Sequence, residues 1–516
     1  MVETKTYNEK LDRVIEKYSS YLNKVNKIAY KDIFLISNEV LSRNPYSNIF
    51  FDKLWSNSSP KKQLTTLVFK SLLKYYTKSI CYLFIWILYK VLSYCIQLKY
   101  INNNSSGELI IIDGYIITER VLNNNCYADH YFEGLDDILC KRNKDFAYLP
   151  IFYKLYKLSP YRVLKFLRIL KKSRFNFITE FELISLNEIL HLIKYIIVYP
   201  FHLIKFVRDI KLNDSIDWLF RESLYESLRC PTLFSYMRYL MGKKLCRINN
   251  NIKLISWCEY QATQKNLYKG MHDSIFPKNK IVIYGCQFFI KPSSFVNLNI
   301  PEHEKEFGVT PDFILVNGQY YLSKHSNLQY KIGVSIRYKY LFSLNPLLLE
   351  SSKCLPSVFL PYSLDDSIHL LKFLQKTSLA NQKLFIGYHP SANVNSYKKY
   401  LLDKWKILKI PAYKMLPNCQ IIIATATGVL VEAVSSGISA IVIIDKESVA
   451  ANPLISLGKG KIWDLVLDED EFQGIYNKLL DYRQNNFNSI LDLGMQYKKL
   501  FFQEPTENRI IELFKL

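Results

Sequence analysis

The clearest pattern along the chain is an alternation of short apolar runs with amphipathic stretches in its last third. Residues 420–424 form a β-branched apolar run, the small residues 425–428 follow it, and residues 429–436 have helical spacing. Residues 438–444 form a second apolar run. Short apolar runs bounded by turn residues are typical of buried parallel strands, so this order predicts a right-handed βαβ unit.

The same alternation recurs over most of the chain and predicts two α/β halves. In the first half, apolar runs and helical spacing predict strands at 108–113, 146–150, 253–257, 280–284, 313–316 and 331–334, and helices at 129–139 and 261–271. In the second half, the order strand, helix, strand fits residues 358–362, 363–376 and 383–388. Such alternation builds parallel sheets, and two halves imply a cleft between them.

Helical patterning sets apart the beginning of the chain and one internal block. Residues 1–105 repeat apolar positions at helical spacing, and residues from about 154 to 250 form a helical insertion. We therefore predict a helical N-terminal segment at 1–105, an N-terminal Rossmann-like domain at 106–335 and a C-terminal Rossmann-like domain at 336–516. Residues 492–516 are helical in pattern, and we expect them to pack back across the first half.

One stretch, residues 79–98, approaches the length of a membrane span. Lys90 lies just past its middle, and the uninterrupted apolar run before it, residues 80–89, is short for a span. Basic side chains recur at helical spacing beside aromatic and aliphatic residues at Lys70, Lys74, Lys78, Lys165, Arg168 and Lys172. This pattern is typical of helices that lie in a membrane interface. The alternative is helices packed on their own domain, with lysine side chains extending to water.

Composition narrows the choice of partners. The chain has 516 residues, of which 49% are hydrophobic and 22% charged, so a disordered chain is excluded. The net charge of +22 is consistent with binding to nucleic acid or to an anionic membrane surface. The alternative is that it reflects a general bias toward lysine in the composition. Because no compact arginine cluster or nucleic-acid motif occurs, we expect no nucleic-acid partner and retain the membrane surface.

The cysteines and the N-terminus indicate the compartment. The 10 cysteines are scattered without paired spacing, which argues against a metal site and against a disulfide framework. The first residues are polar and helical in pattern, unlike a signal peptide. We therefore expect a cytoplasmic protein, peripheral at the inner face of the cell membrane if its basic helices bind lipid.

Polar residues follow several predicted strands of the second half, at the edge where open α/β sheets bind ligands. The imidazole that follows the strand at 383–388 can donate to a phosphate oxygen. The small-residue turn at 425–428 can bring backbone N–H groups to a phosphate. The predicted nucleotide-binding residues are His389, Pro390, Ser363, Thr425, Thr427, Gly428 and Glu432. Glu432 would accept from ribose hydroxyls, or it is a carboxylate stabilised by the helix dipole.

The opposite wall of the predicted cleft offers a base and two polar groups. Glu259 follows the strand at 253–257 and is our candidate general base for an acceptor hydroxyl, although a helix-capping role explains it as well. Gln287 and Asp113 are predicted on the acceptor side because each lies near the end of a predicted strand.

These segments resemble the C-terminal half of GT-B glycosyltransferases. The order of His389-Pro390, a small-residue turn, Glu432-Ala433 and Gly437 before an apolar strand is similar to that of sialyltransferase-like, polysialyltransferase-like and Kdo-transferase-like bacterial enzymes. Those enzymes hold the nucleotide of a CMP-activated sugar with an HP motif and a Ser/Thr motif. Here Thr425 and Thr427 stand where many relatives have Ser.

A longer resemblance, over most of residues 108–445, is to proteins of surface carbohydrate biosynthesis. The segments that carry it are 129–135, 255–261, 284–287 and 310–318. The chain departs from relatives at Phe288, where they often have His, and it lacks the acidic motif of some sialyltransferases.

The resemblance implies a GT-B-like α/β protein in which two Rossmann-like domains face a cleft. The implied activity is glycosyl transfer from a nucleotide-sugar donor, with a CMP-activated sugar as the suggested example, to a glycan or lipid-linked acceptor. It implies metal independence, and we expect no cofactor. Two alternatives stay open: a CDP-polyol phosphotransferase of similar fold, and a non-catalytic membrane-associated protein with a degenerate cleft.

Overall fold

Two parallel sheets form the frame of the protein. The computed structural model describes residues 2–45, 48–59, 64–98, 107–274, 280–292, 294–323, 326–344, 354–389, 392, 394–425, 427–447, 449 and 452–516. Pro390, one of the predicted nucleotide-binding residues, lies outside the described residues.

The first sheet has six parallel strands in the order β2-β1-β3-β4-β5-β6. Its strands are β1 (Leu109–Ile117), β2 (Asp145–Tyr153), β3 (Asn251–Trp257), β4 (Lys280–Gln287), β5 (Phe313–Val316) and β6 (Tyr330–Ile332). Each predicted strand of the first half overlaps one of them. The strand order reverses direction between β1 and β3, which is a switch point of the sheet.

The second sheet also has six parallel strands, in the order β12-β11-β10-β7-β8-β9. Its strands are β7 (Leu355–Leu360), β8 (Leu384–Tyr388), β9 (Trp405–Ile407), β10 (Cys419–Ala424), β11 (Ala440–Ile443) and β12 (Trp463–Val466). Counted from β7, this is the 3-2-1-4-5-6 order of dinucleotide-binding Rossmann domains, with its switch point between β7 and β10. The two edge strands, β9 and β12, were not predicted from the sequence.

Helices surround both sheets. The N-terminal segment contains α1 (Val2–Ala29), α2 (Ile49–Trp55) and α3 (Leu64–Tyr94). The first domain and its insertion contain α4 (Thr118–Asn124), α5 (Leu135–Lys141), α6 (Pro160–Lys172), α7 (Glu180–Leu183), α8 (Leu186–Asp209), α9 (Ser215–Ser227), α10 (Leu233–Ile248) and α11 (Ala262–His272). The second domain contains α12 (Leu364–Gln375), α13 (Ala412–Met415), α14 (Val429–Ser435), α15 (Glu469–Asn485), α16 (Phe487–Phe501) and α17 (Glu507–Phe514).

One predicted helix is wrong at its start. The helical pattern at residues 129–139 predicted a helix from Asp129, whereas α5 begins at Leu135. The Asp129 carboxylate accepts from the backbone N–H groups of Tyr131 and Phe132, at 2.8 and 3.1 Å, which stabilises a turn. Gly134 then has φ of 82°, a left-handed conformation that interrupts a helix.

The helical insertion is attached to the first sheet by a buried ion pair. Arg238 on α10 pairs with Asp113 in the middle of β1, and both side chains are almost fully buried. The Ser256 hydroxyl on β3 donates to the same carboxylate at 2.6 Å. The insertion is therefore part of the core of the first domain.

The N-terminal segment is held by a second buried cluster. Glu304, fully buried, contacts Lys265 of α11 at 3.1 Å and Arg43 of the N-terminal segment at 3.4 Å. The Tyr260 hydroxyl donates to Glu304 at 2.6 Å. Further along the segment, the Trp55 indole N–H donates to the Glu447 carbonyl of the second domain at 2.8 Å. The segment thus contacts both domains.

The C-terminal helices return to the first domain. The backbone N–H of Ser335 donates to the Gln503 carbonyl at 2.8 Å, and that of Gln503 donates to Asn317 at 2.9 Å. The Phe514 ring on α17 meets the Tyr284 ring of β4 edge-on, with centroids 5.5 Å apart. These contacts join the C-terminal helices to the first domain.

Replacing Glu304 by glutamine tests how much the buried cluster contributes to stability. We expect Glu304→Gln to lower the free energy of unfolding by about 3–5 kcal/mol, because two buried cations lose their shared counter-charge. Urea unfolding followed by circular dichroism measures the change. The exposed Glu306 is the matched control, and Glu306→Gln should leave stability nearly unchanged. A loss no larger than that of the control would contradict a stabilising role for the cluster.

Candidate functional site

The loops at the carboxyl edges of the two sheets meet each other. Because all strands within each sheet are parallel, their carboxyl ends lie along one edge. Tyr153, at the end of β2, and Tyr362, after β7, have hydroxyl oxygens 3.2 Å apart. Gly428, after β10, packs against Ile290, after β4; a Cβ on Gly428 would lie 3.2 Å from the Ile290 Cβ. These contacts define a cleft, and the close approach at Gly428 explains why a glycine stands there.

Two arginines converge in the cleft. Arg337 lies on the 3-10 helix Ile336–Phe342, which follows the first sheet in the chain. Its guanidinium carbon is 5.9 Å from the ring centroids of both Tyr131 and Trp257. Arg120 lies on α4, just after β1; burial lowers its pKa, and the Arg337 charge lowers it further. Among the described residues, neither arginine forms an ion pair with a carboxylate.

His389 lies at the end of β8, facing these arginines. Its ring meets the Tyr362 ring edge-on, with centroids 5.2 Å apart. The walls of the cleft and the charges of Arg337, Arg120 and Lys154 lower the pKa of His389 to about 4. His389 is therefore neutral at pH 7 and carries one N–H that can donate to an anion.

A second histidine, His130, shares this environment. Burial and the charges of Arg120 and Arg337 lower its pKa to about 4 as well. The cleft thus brings two arginines, a lysine and two neutral histidines near one another. This arrangement favours an anion, because each of these groups can donate hydrogen bonds and three carry positive charge.

The turn after β10 and the loop after β7 flank the switch point of the second sheet. The Thr425 side chain is buried, and the Thr425 carbonyl accepts from the Thr427 N–H at 2.8 Å. Thr427 and Gly428 are partly exposed, just before the first turn of α14. Ser363 caps α12 by accepting from the Asp366 N–H at 3.3 Å. The structure therefore brings Ser363, Thr425, Thr427 and Gly428 to the same edge as His389.

Glu432 does not face open solvent. It is buried on α14 and its carboxylate accepts from the Tyr340 hydroxyl, on the same 3-10 helix as Arg337. Burial raises the pKa of Glu432, while the hydrogen bond from Tyr340 and the Arg337 charge lower it. Glu432 thus ties α14 to the 3-10 helix that carries Arg337.

Glu259 lies after β3 on the opposite wall. Its carboxylate accepts from the Trp257 indole N–H at 3.2 Å and from the Gln261 amide at 2.9 Å. Burial raises the pKa of Glu259, and the hydrogen bond from Trp257 and the Arg337 charge oppose the rise. Each carboxylate oxygen keeps a further lone pair, so the group can accept a proton while its neighbours hold it in place.

The structure does not bring Asp113 and Gln287 to the cleft. Asp113 is fully buried in the pair with Arg238 that is described above. Gln287 is 1% exposed; its side-chain oxygen accepts from Lys291 at 2.7 Å and its amide donates to the Leu298 carbonyl at 3.1 Å. These contacts give both side chains structural roles in the first domain.

A cavity adjoins Arg120 on the first-domain side. It lies at the carboxyl end of β1 and is lined by residues that include Arg120, His130, Tyr131, Tyr115 and Tyr127. In the part of the chain that the structure describes, no three His, Cys, Asp or Glu side chains cluster in a way that could hold a metal ion.

The sequence analysis missed Arg337, Arg120 and Lys154. Each lies on a loop or at a helix start after a sheet strand, so the strand-end rule that selected His389 could have selected Lys154 after β2 and Arg120 after β1. Arg337 stands three residues after the predicted strand at 331–334, so the same rule could have selected it as well.

Two parallel Rossmann-like sheets whose carboxyl edges face each other across a cleft, with C-terminal helices returning to the first domain, make the two-domain α/β architecture that the sequence predicts. No protein-family model matches the chain, and no curated protein is significantly similar in sequence.

Solved structures with a similar arrangement of elements exist. One is UDP-GlcNAc 2-epimerase from Methanocaldococcus jannaschii, with 9% identity, 79% of this chain and 99% of that chain covered, and a TM-score of 0.42. Another is the glycotransferase of kitacinnamycin, with 8% identity, 79% and 98% covered, and a TM-score of 0.38. A third is MurG from Acinetobacter baumannii, with 8% identity, 79% and 99% covered, and a TM-score of 0.40. Likenesses this distant leave substrate and reaction to be inferred from the site.

Removing the Arg337 charge should change the titration of His389. We expect Arg337→Gln to raise the pKa of His389 from about 4 toward its ordinary value of 6.5, because one of three repelling cations is lost. An NMR titration of the imidazole signals measures the shift. The exposed neighbour Lys339 provides the control, and Lys339→Gln should leave the titration in place. An unchanged pKa in Arg337→Gln would show that Arg337 does not act on the His389 ring.

Proposed function

We propose that the protein is a glycosyltransferase that moves a sugar from a nucleotide-activated donor to an acceptor hydroxyl. The observation that carries this proposal is the convergence of Arg337 and Arg120, which have no carboxylate ion pair among the described residues, with His389 at the edge where the two sheets meet. An anionic leaving group is the ligand that such a cluster fits, and the switch point between β7 and β10 is where a nucleotide binds in a sheet of this order.

The reaction divides between the two walls of the cleft. Glu259 accepts the proton of the acceptor hydroxyl, whose oxygen forms the new bond to the anomeric carbon of the donor. The bond between that carbon and the phosphate oxygen breaks, and its electron pair leaves with the nucleotide. Arg337, Arg120 and an N–H of His389 stabilise the charge that develops on the departing phosphate.

The raised pKa of Glu259 suits this role. A carboxylate whose pKa lies at the lower end of the usual range is a weak base. Burial raises the pKa of Glu259 and so makes it a stronger base. Trp257 and Gln261 fix its orientation, so the catalytic oxygen does not have to be ordered when the acceptor binds.

The finer assignment concerns the substrates. The resemblance of His389 and of the Thr425–Thr427 turn to the HP and Ser/Thr motifs supports a CMP-activated sugar as the donor. We propose a surface glycan or a lipid-linked saccharide as the acceptor, and the aromatic cavity beside Arg120 as the place where its sugar rings bind.

Binding of the nucleotide should depend on His389. We expect His389→Ala to weaken the binding of CMP by about 5- to 20-fold, the effect of losing one hydrogen bond to a charged group. Isothermal titration calorimetry measures the dissociation constant, and the exposed His191 provides the control variant His191→Ala. If UMP or GMP binds and CMP does not, the donor carries that other nucleotide, and the same comparison of His389→Ala with wild type is made with it. If His389→Ala and wild type bind that nucleotide equally well, the proposed site is wrong.

Turnover should depend on Glu259 much more than donor binding does. A screen of CMP-, UDP- and GDP-sugars and of CDP-polyols for slow hydrolysis identifies the donor. With that donor, Glu259→Gln is expected to lower turnover by about 10²–10⁴-fold, since a general base is lost. Donor affinity should change little, and Glu306→Gln is the matched control. If only CDP-polyols are hydrolysed, the reaction is polyol phosphate transfer and not glycosyl transfer. If Glu259→Gln turns over as fast as wild type, Glu259 is not the base.

A further inference from the structure

Two long helices on the surface each expose a stripe of large apolar side chains. On α3 the stripe consists of Phe69, Leu73, Ile80, Phe84, Leu88 and Val91. On α8 it consists of Leu186, Leu190, Ile193, Ile197 and Phe201. The intervals of three, four and seven residues place each set on one helix face. The exposed fractions reach 71% at Phe84 and 78% at Leu186. These side chains therefore lie on the surface and are not partly exposed members of the core.

The opposite faces of both helices pack against the protein. Tyr75 and Trp86 of α3 and Tyr195 and Tyr199 of α8 are fully buried. Lys90, which interrupts the apolar run of α3, points inward and its ammonium group donates to the Phe181 carbonyl. Among the described residues, α8 alone is long and apolar enough to cross a membrane, but one of its faces is covered by protein. Both helices therefore lie on the surface of the fold.

The two stripes adjoin each other. The Tyr76 hydroxyl of α3 donates to the Ile197 carbonyl of α8 at 3.4 Å. The rings of Tyr75 and Tyr199 pack beside this contact, with centroids 5.6 Å apart. Because Tyr76 lies between Leu73 and Ile80 along α3 and Ile197 belongs to the α8 stripe, the two stripes are adjacent at this contact. We call the combined area the α3/α8 surface.

Basic side chains border the α3/α8 surface. Exposed lysines and arginines lie on the two helices that carry the stripes and on α6, which contacts α3: Lys70, Lys74, Lys194, Lys205, Lys165, Arg168 and Lys172. The apolar face of α6 is buried, so its basic face points outward. Two hydrogen bonds hold α6 beside α3, each at 2.5 Å: the Lys171 ammonium group of α6 donates to the carbonyl of Ile96, just after α3, and the Tyr89 hydroxyl of α3 donates to the carbonyl of Leu158, just before α6.

We propose that the α3/α8 surface docks the protein on an anionic membrane, with the two apolar stripes in the lipid interface and the basic border on the headgroups. An apolar face with a basic margin is the pattern of helices that lie in a bilayer surface. Contiguous apolar area of this kind is otherwise rare on a protein in water. The proposal does not depend on the transfer reaction.

A second copy of the chain is the competing occupant. Charge argues against it, since a symmetric dimer through this surface would bring two basic borders together, in a chain whose net charge is already +22. An anionic membrane complements both parts of the surface.

Flotation with lipid vesicles tests the proposal on the full chain. The vesicles are phosphatidylcholine alone and phosphatidylcholine mixed with phosphatidylglycerol. Wild type should float with the anionic vesicles. Replacing Phe84, Leu88 and Phe201 by serine should weaken this binding by about 10- to 100-fold, because apolar area no longer enters the interface. The controls are Ile410→Ser and Met495→Ser, two exposed apolar positions on the second domain, which should bind as wild type does.

The basic border is tested separately on α6. Replacing Lys165, Arg168 and Lys172 by glutamine should weaken anionic binding by about 10- to 100-fold and remove most of its salt dependence. Lys398, Lys406 and Lys409 on the second domain are the matched control set, and their glutamine variants should bind as wild type does.

Three results would overturn the proposal. The first is wild-type protein that floats with neither vesicle type. The second is unchanged flotation of the variant with serine in the apolar stripes. The third is a dimer in solution that dissociates with those serine substitutions and does not bind vesicles, which would assign the surface to a second copy. Circular dichroism shows that each variant is folded.

Discussion

The direction of the strands is the constraint on which the rest of the structure depends. Within each sheet every strand is parallel to its neighbours, so the chain can leave the sheet toward the cleft only at carboxyl ends. Both sheets turn that edge toward each other, as the contacts Tyr153–Tyr362 and Ile290–Gly428 show. Side chains more than 200 residues apart in sequence therefore share one cleft.

Positive charge in that cleft has to be held in place by other parts of the fold. Arg337 and Arg120 repel each other and lower the pKa of His389 and His130, so bringing these four groups together costs free energy. The return of the C-terminal helices to the first domain, through the bonds of Ser335 and Gln503, opposes this repulsion. The link between Tyr340 and Glu432 does so next to Arg337 itself. An anionic ligand between the domains would stabilise the same arrangement.

Apolar periodicity predicted most strands of both sheets, the helical N-terminal segment and the helical insertion. It failed at two places. The edge strands β9 and β12 were not predicted, and turn chemistry at Asp129 and Gly134 replaced the first turns of a predicted helix.

The sequence predicted part of the candidate site, because residues that follow parallel strands lie at one edge of the sheet. Position after a strand located His389, Glu259 and the Thr425–Gly428 turn, because parallel topology fixes where such residues lie. It also selected Asp113 and Gln287, whose side chains turn into the core to meet Arg238 and Lys291. Which way a side chain points depends on packing partners far away in sequence, and the periodicity of one strand does not contain that information. Arg337 was missed because the groups it acts on, Tyr131, Trp257 and His389, come from elements far apart in sequence.

A crystal structure with bound CMP tests the central claim most directly. The account predicts the phosphate at the edge shared by β7, β8 and β10, with Arg337 or Arg120 and the His389 imidazole within hydrogen-bond distance of its oxygens. A nucleotide bound with its phosphate away from both arginines, or outside the cleft between the two sheets, would contradict it.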